Sequence, residues 1–281
     1  MKLISIGMPV YNGEGRIEKA LNSLLSQSFK NFELIISDDN SSDNTANICD
    51  EYAAKDARIK FYRQKNNSGL VKNFAFVLNQ AKGDYFMWAA QDDWWDENFI
   101  RKMVEAMEKN PEYVVAMSHY KIISDSGKIT ETSLGRHDFT KLSNYRLFRV
   151  ILSAKDNPIF EYGLFRTDFL KKLFSRLKPH SIEDTVILMS EAALAGKFYS
   201  VPEFLHIKYR NPKNLRERHY LGNYYGEPCP YTKFIKTLLV WLITSRVIPF
   251  RRKFLIFWPW LRKLIHYRRK IFRELFGRFQ S

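Results

Sequence analysis

A chain of 281 residues with 45% hydrophobic and 15% aromatic content can bury a substantial core, which excludes a disordered or low-complexity protein and suits one large domain or two intimately joined halves. Its two cysteines, Cys49 and Cys229, are far apart and without metal-ligand spacing, which excludes a disulfide framework and a zinc site and suits a reducing compartment. The net charge of +15 sits at one end: residues 231–281 carry 13 Lys and Arg against the single acid Glu274, while the rest holds 32 basic and 29 acidic residues, too even a balance for a nucleic-acid stripe.

The apolar run from Leu3 to Val10 is too short for a signal-peptide core and lacks a small-residue cleavage site, so it reads as a first strand over Leu3 to Met8. Ile17, Ala20, Leu21, Leu24 and Leu25 then fall at helical spacing. Phe32 to Ile36 predicts a second strand, Asp43-Asn44-Thr45 caps a second helix, and Ile59 to Tyr62 predicts a third strand. A helix over Leu70 to Gln80 leads through Lys82-Gly83-Asp84 into an apolar run from Tyr85 that stops at Asp92-Asp93. This alternation predicts an α/β fold, an open and mostly parallel twisted sheet with helices on both faces.

Beyond Trp94-Trp95 a helix runs from about Glu97 to Lys109, ended by Pro111. Tyr113 to Ile123 predicts a strand that turns at Asp125-Ser126-Gly127 into Lys128 to Thr130. A helix is expected around Leu142 to Leu152, a strand over Pro158 to Phe165 and a helix from Asp168. Another helix opens at Ser181-Ile182-Glu183-Asp184 and closes at Gly196, and Phe198 to Val201 and Phe204 to Tyr209 read as two short strands. His119 and the two cysteines read as structural. No stretch of 18 uncharged apolar residues is present, and from Lys233 onward basic clusters alternate with short aromatic-rich runs, a pattern of amphipathic helices that lie in a membrane interface. An oligomerisation helix pair is the alternative for that tail.

Acidic residues stand at three element ends: Asp38-Asp39, Asp92-Asp93 and Glu183-Asp184. Parallel strands place the first two at one edge of the sheet, where ligands bind in open α/β folds. Adjacent carboxylates repel unless a cation or proton relieves them, and hard oxygen ligands suit Mn²⁺ or Mg²⁺. A helix cap is the competing role for Asp92-Asp93, and first-turn charge for Glu183-Asp184. Gly13-Glu14-Gly15 suggests a dinucleotide fingerprint, but Glu18 stands where its third glycine belongs and Glu14 would meet the pyrophosphate.

The runs Ser5 to Gly13, Phe32 to Asp43, Asn67 to Asn73, Lys82 to Tyr85 and Gln91 to Trp94, in that order, resemble family 2 glycosyltransferases of the GT-A fold over about residues 1 to 210, with Glu183-Asp184 and Tyr209-Arg210 carrying the later part. The resemblance implies inverting transfer of a sugar from a nucleoside diphosphate, of UDP type, to a glycan or lipid-linked acceptor in cell-surface polysaccharide or glycolipid assembly. It implies a nucleotide-sugar-binding half over 1–112 and an acceptor-binding half over 113–228, while the basic, aromatic pattern of the tail suggests a membrane-associating segment over 229–281 with the chain peripheral on the cytoplasmic face. By similarity Pro9, Tyr11 and Glu14 line the nucleotide site, Asp38 or Asp39 meets the base, and Lys72, with Asn73 beside it, approaches the phosphates or the base. Asp92 and Asp93 share the ribose contact and the Mn²⁺ or Mg²⁺. Asp184 is the general base, with Glu183 as runner-up. Trp94, Trp95 and Gly163 are acceptor-side candidates, one tryptophan being equally suited to core packing. The chain departs from the family's Asp-X-Asp pattern at Ala90, which keeps a second reading open, a non-catalytic membrane-bound subunit that binds a nucleotide sugar.

Overall fold

A computed structural model describes residues 2–124, 126–132, 138–153, 162–176, 183–210 and 230–276. The first half alternates as expected: β1 (Ile4–Val10), α1 (Ile17–Leu25), β2 (Phe32–Asp38), α2 (Thr45–Lys55), β3 (Ile59–Arg63), α3 (Leu70–Gln80) and β4 (Tyr85–Trp88). These four strands are parallel, in the order β3-β2-β1-β4. Every residue of β1, β2 and β4 is buried, because helices cover the sheet on both sides and the strands therefore read as continuous apolar runs.

The second half continues the sheet with mixed direction. β5 (Asp93–Trp95), α4 (Phe99–Glu108), β6 (Tyr113–Ser124), β7 (Ile129–Thr132), α5 (Asn144–Ser153), β8 (Leu164–Arg166), α6 (Thr167–Phe174), α7 (Glu183–Ala195) and β9 (Lys197–Arg210) follow in order. β8 inserts antiparallel between β4 and β6, β9 runs parallel to β6, and β5 pairs antiparallel with β9. Two expectations change here. The acidic pair does not end β4, since Asp93 opens a short strand of its own. The two strands expected over 198–209 are one, continuous through Pro202-Glu203, where the pairing with β6 shifts register and absorbs the proline.

Side-chain alternation along β4 divides the core. Phe86 and Trp88 face a cluster built with α3, α5, α6 and α7, and Tyr85, Met87 and Ala89 face one built with α1, α2 and α4. The basic tail forms α8 (Pro230–Ile243), α9 (Phe250–Lys253) and α10 (Phe257–Phe276). It is not a free amphipathic arm: Ile235, Leu238, Leu242, Ile248 and Ile256 are buried in the first cluster. Glu191 of α7 is fully buried and pairs with Arg176 at 2.6 Å, and Arg176 also donates to the Trp241 carbonyl at 3.0 Å and to Thr244 Oγ1 at 2.8 Å. No helix among the described residues is long and apolar enough to cross a membrane. Cys49 is buried, and burial pushes its thiol up to about 12; Cys229 lies outside the described residues.

Candidate active site

The parallel register sets Val10 beside Asp38 and Gly7 beside Trp88, so the loops leaving β1, β2 and β4 open at one edge. The first two are laced together by backbone donors meeting short polar side chains. Asn12 N–H donates to Ser41 Oγ at 2.9 Å, Gly13 N–H to Thr45 Oγ1 at 2.7 Å and Glu14 N–H to Asp43 Oδ2 at 3.1 Å. In return Asn44 N–H donates to Glu14 Oε2 at 3.1 Å and Ser42 N–H to Asn12 Oδ1 at 3.0 Å. The third loop joins through Gln91, whose amide grips the Tyr11 backbone; a Cβ on Gly13 would lie 2.8 Å from that amide and would push the clamp aside. Pro9 is buried beneath the crevice and the Tyr11 side chain is 48% exposed above it.

Asp38 and Asp39 are both buried and both engaged. Asp38 accepts from Ser41 N–H at 3.2 Å and lies 3.6 Å from Arg63 Nε. Asp39 accepts from Ser68 N–H at 2.8 Å, Ser68 Oγ at 3.0 Å and Gly69 N–H at 2.9 Å, fixing the turn that starts α3. On α3, Lys72 is exposed, whereas Asn73 is buried and donates to the Ser37 carbonyl at 2.9 Å, stapling the end of β2; its Oδ1 has no hydrogen-bond partner among the described residues.

Around Asp92-Asp93, alternation along β5 turns Asp93 and Trp95 inward and leaves Trp94 half-buried. Asp93 Oδ2 bonds His206 Nε2 at 2.9 Å and Lys208 Nζ at 3.3 Å, while Oδ1 is buried without a hydrogen-bond partner among the described residues. Burial works to raise the Asp93 carboxyl, but the Lys208 charge and the His206 bond outweigh it and hold the group below the usual range. Asp92 is half-exposed, 4.0 Å from Arg16; burial first, then the neighbouring Asp93 charge, push its carboxyl up. Trp95 is wholly buried, its ring stacked on His206 at 5.3 Å and 8°. This corrects its placement on the acceptor side: pointing inward from β5, it belongs to the core. Gly163 has a similar explanation, since a Cβ there would stand 2.8 Å from the Ala116 carbonyl and the glycine lets β8 close on β6.

The carboxylates fit a divalent cation. An Asp93 oxygen buried without a partner among the described residues, and beside it a carboxylate that burial and then the Asp93 charge push upward, are groups that a hard cation relieves. Among the described residues no three His, Cys, Asp or Glu side chains converge as a metal cage, so the other ligands would come from water and from a bound phosphate. Glu183 and Asp184 open α7, but their side chains, and that of Arg210, lie outside the described residues. His119 sits in β6 against Phe204, at 5.6 Å between rings. Sequence reading missed Ser41, Thr45, Ser68, Gln91, His206 and Lys208. Ser41, Ser68 and Gln91 stand inside the runs that carry the resemblance and Thr45 in a helix cap, whereas His206 and Lys208 reach the acidic pair only through the pairing of β5 with β9.

The Glycosyl transferase family 2 model matches residues 5–174. Glycosyltransferase GlyG of Streptococcus pneumoniae is 29% identical over 126 residues, 45% of this chain and 42% of GlyG, so the chain spans less than half of that relative. Among solved structures, S. aureus TarS 1-349 in complex with UDP-GlcNAc aligns over 98% of this chain and 76% of its own, with TM-score 0.70 and 21% identity. The mannosyltransferase PcManGT of Pyrobaculum calidifontis, in complex with GDP-Man and Mn²⁺, aligns over 95% of this chain and 75% of its own, with TM-score 0.54 and 15% identity.

Proposed function

Because the chain belongs to glycosyl transferase family 2, we propose that it moves a sugar from a nucleoside diphosphate of UDP type to an acceptor hydroxyl, with inversion at the anomeric carbon. The observation that carries this reading is the meeting of three interlocked loops, at 9–14, 38–45 and 91–93, at the carboxyl edge of the parallel strands, where an open α/β sheet takes its ligands. The nucleotide would lie over Pro9, Tyr11 and Glu14, its base near Asp38 and Asp39, its phosphates toward the exposed Lys72 and toward Asp92, with the buried Asn73 holding the end of β2 beside Lys72. TarS, solved with UDP-GlcNAc, supports the donor class.

The acceptor oxygen forms a bond to the anomeric carbon as the bond to the diphosphate breaks, and the acceptor proton passes to a carboxylate. Asp184 takes that proton, with Glu183 as the alternative, and a single displacement accounts for inversion. Asp92 and Asp93 would hold Mn²⁺ or Mg²⁺, which when bound offsets the charge developing on the leaving diphosphate; the Mn²⁺ in PcManGT supports that choice. The test is a thermal-shift screen of nucleotide sugars with and without Mn²⁺, followed by transfer assays on Asp184→Asn. Transfer should vanish in the variant while donor binding persists. A wild-type chain that binds donor but forms no product with any acceptor extract supports the non-catalytic subunit instead.

The tail supports a class of acceptor. Phe250, Phe254, Phe257 and Trp258 are 52–77% exposed around the corner from α9 to α10, with Arg251 and Arg262 exposed beside them, and Arg268, Arg269 and Lys270 exposed further along. Aromatic rings ringed by arginine suit an anionic lipid interface, where each basic residue contributes about 1 kcal/mol. A lipid-linked acceptor at the cytoplasmic face, used in cell-surface polysaccharide or glycolipid assembly, fits this surface. Vesicles with and without phosphatidylglycerol distinguish it: Phe250→Ser with Phe254→Ser in the full chain should lower co-sedimentation at least tenfold, and partitioning equal to that of the wild type would sink the lipid reading.

A further inference from the structure

We infer that Lys208 is a built-in countercharge at the diphosphate end of the site, so that this chain's hold on a nucleoside diphosphate depends only in part on a divalent cation. The inference rests on the donor reading above and concerns a residue outside the sequence motifs. Lys208 stands directly opposite Asp93 in the pairing of β5 with β9, and its Nζ lies 3.3 Å from Asp93 Oδ2 and 3.9 Å from the centre of the Tyr162 ring. It is 7% exposed, so its ammonium is held at Asp93 largely out of solvent. His206, stacked on Trp95, holds the same Asp93 oxygen from the other side.

Charge gives this arrangement its meaning. Two carboxylates alone present two negative charges to a diphosphate, itself an anion, and binding would then require a cation to bridge them. A fixed ammonium within hydrogen-bonding distance of one carboxylate removes part of that repulsion before any ion arrives. The same ammonium repels a divalent cation approaching Asp93 Oδ1, and over a few ångströms in a site largely shielded from water that repulsion is strong. Lys208 therefore favours the anion and disfavours the metal. Stability gives no comparable reason for a lysine here, because a buried ion pair contributes little beyond what an apolar pair of the same volume would. Ala90, where the family pattern has an acid, agrees with a site that has exchanged part of its metal-binding charge for a resident cation.

The opposite signs separate this role from a structural one. Lys208→Gln keeps a hydrogen-bond donor for Asp93 and removes the charge, and Lys208→Arg keeps both. UDP binding is measured by titration calorimetry in EDTA and in Mn²⁺, and binding of Mn²⁺ alone by electron paramagnetic resonance. The wild-type chain should bind UDP in EDTA within about tenfold of its affinity in Mn²⁺; Lys208→Gln should lose at least about tenfold in EDTA yet bind Mn²⁺ about threefold or more tighter, and Lys208→Arg should match the wild type. The inference fails if EDTA abolishes wild-type UDP binding, if Lys208→Gln leaves UDP binding in EDTA intact, or if it leaves Mn²⁺ binding unchanged or weaker. A wild-type chain that binds no UDP in either condition overturns the donor reading, and the Mn²⁺ titration still decides the role of Lys208.

Discussion

The side-chain amide of Gln91 closes on both backbone groups of Tyr11: Oε1 accepts from the Tyr11 N–H at 2.9 Å and Nε2 donates to the Tyr11 carbonyl at 3.0 Å. This clamp ties the loop that carries the acidic pair to the loop that carries the aromatic ring. Gln91→Ala frees both loops, and its cost to stability is expected at about 1–2 kcal/mol, since each hydrogen bond contributes about 1 kcal/mol net. Nucleotide affinity should fall more than stability does, by roughly tenfold, because loop placement matters more to a ligand than to the core. Calorimetric titration beside urea unfolding measures the two, and equal affinity in mutant and wild type would show that the clamp does not shape the site.

Asp39 accepts three donors with its two oxygens. Asp39→Asn replaces one acceptor by an NH₂ group that faces a backbone N–H, so one of the Ser68 and Gly69 donors loses its partner. The expected loss is about 1–3 kcal/mol, the range for a buried polar group left unsatisfied. Amide exchange at the start of α3 should quicken first, and uniform exchange across the sheet would place the effect elsewhere.

Glu33 gives the fold an acid-sensitive joint. It is buried in β2, pairs with Lys60 and accepts from Ser5 Oγ at 2.6 Å and Lys82 N–H at 2.8 Å. Burial works to raise its carboxyl, and the Lys60, Ser5 and Lys82 bonds together outweigh it, leaving the group below its ordinary value. A carboxyl depressed on folding stabilises the native state above its unfolded value, about 4.3 for glutamate, and that contribution disappears as pH falls through the folded value. Denaturant midpoints should therefore drop between about pH 5 and pH 3, and Glu33→Gln should flatten that slope while lowering stability at pH 7. A Glu33→Gln profile parallel to wild type refutes the assignment.

Arg176 connects α6, α7 and the tail. Among the described residues, Arg176→Met leaves the buried Glu191 with the Trp241 indole as its remaining side-chain partner, and breaking one half of a buried pair costs about 3–5 kcal/mol. For the same reason a chain cut after Pro230 should unfold, because it uncovers the apolar residues that α8 buries. Thermal unfolding of both variants checks this, and a folded truncation with a wild-type midpoint would return the tail to the status of an appendage.

Much of this protein is legible along the chain. The periodicities of residues 3–109 reproduce the order and approximate limits of four strands and four helices, because each is a local pattern of apolar spacing and capping. Pro9, Tyr11, Glu14, Asp38, Asp39 and Asp92 come together at one edge because parallel strands align their carboxyl ends. The join of the strands expected over 198–209 was not legible, since only the continuous partner β6 carries the chain through Pro202.

What the sequence alone determined was which residue types stand at the strand ends and that the basic charge lies in the tail. What only the tertiary structure decided was which of them meet. Asp93 and Trp95 face inward because β5 pairs with β9, a contact between residues more than a hundred positions apart that no local spacing encodes. That pairing delivers His206 and Lys208 to the acidic pair. In the same way, the docking of α8 against α7 turns half of a uniformly basic, aromatic tail into core and leaves the other half on the surface, a division set by which side chains another helix covers.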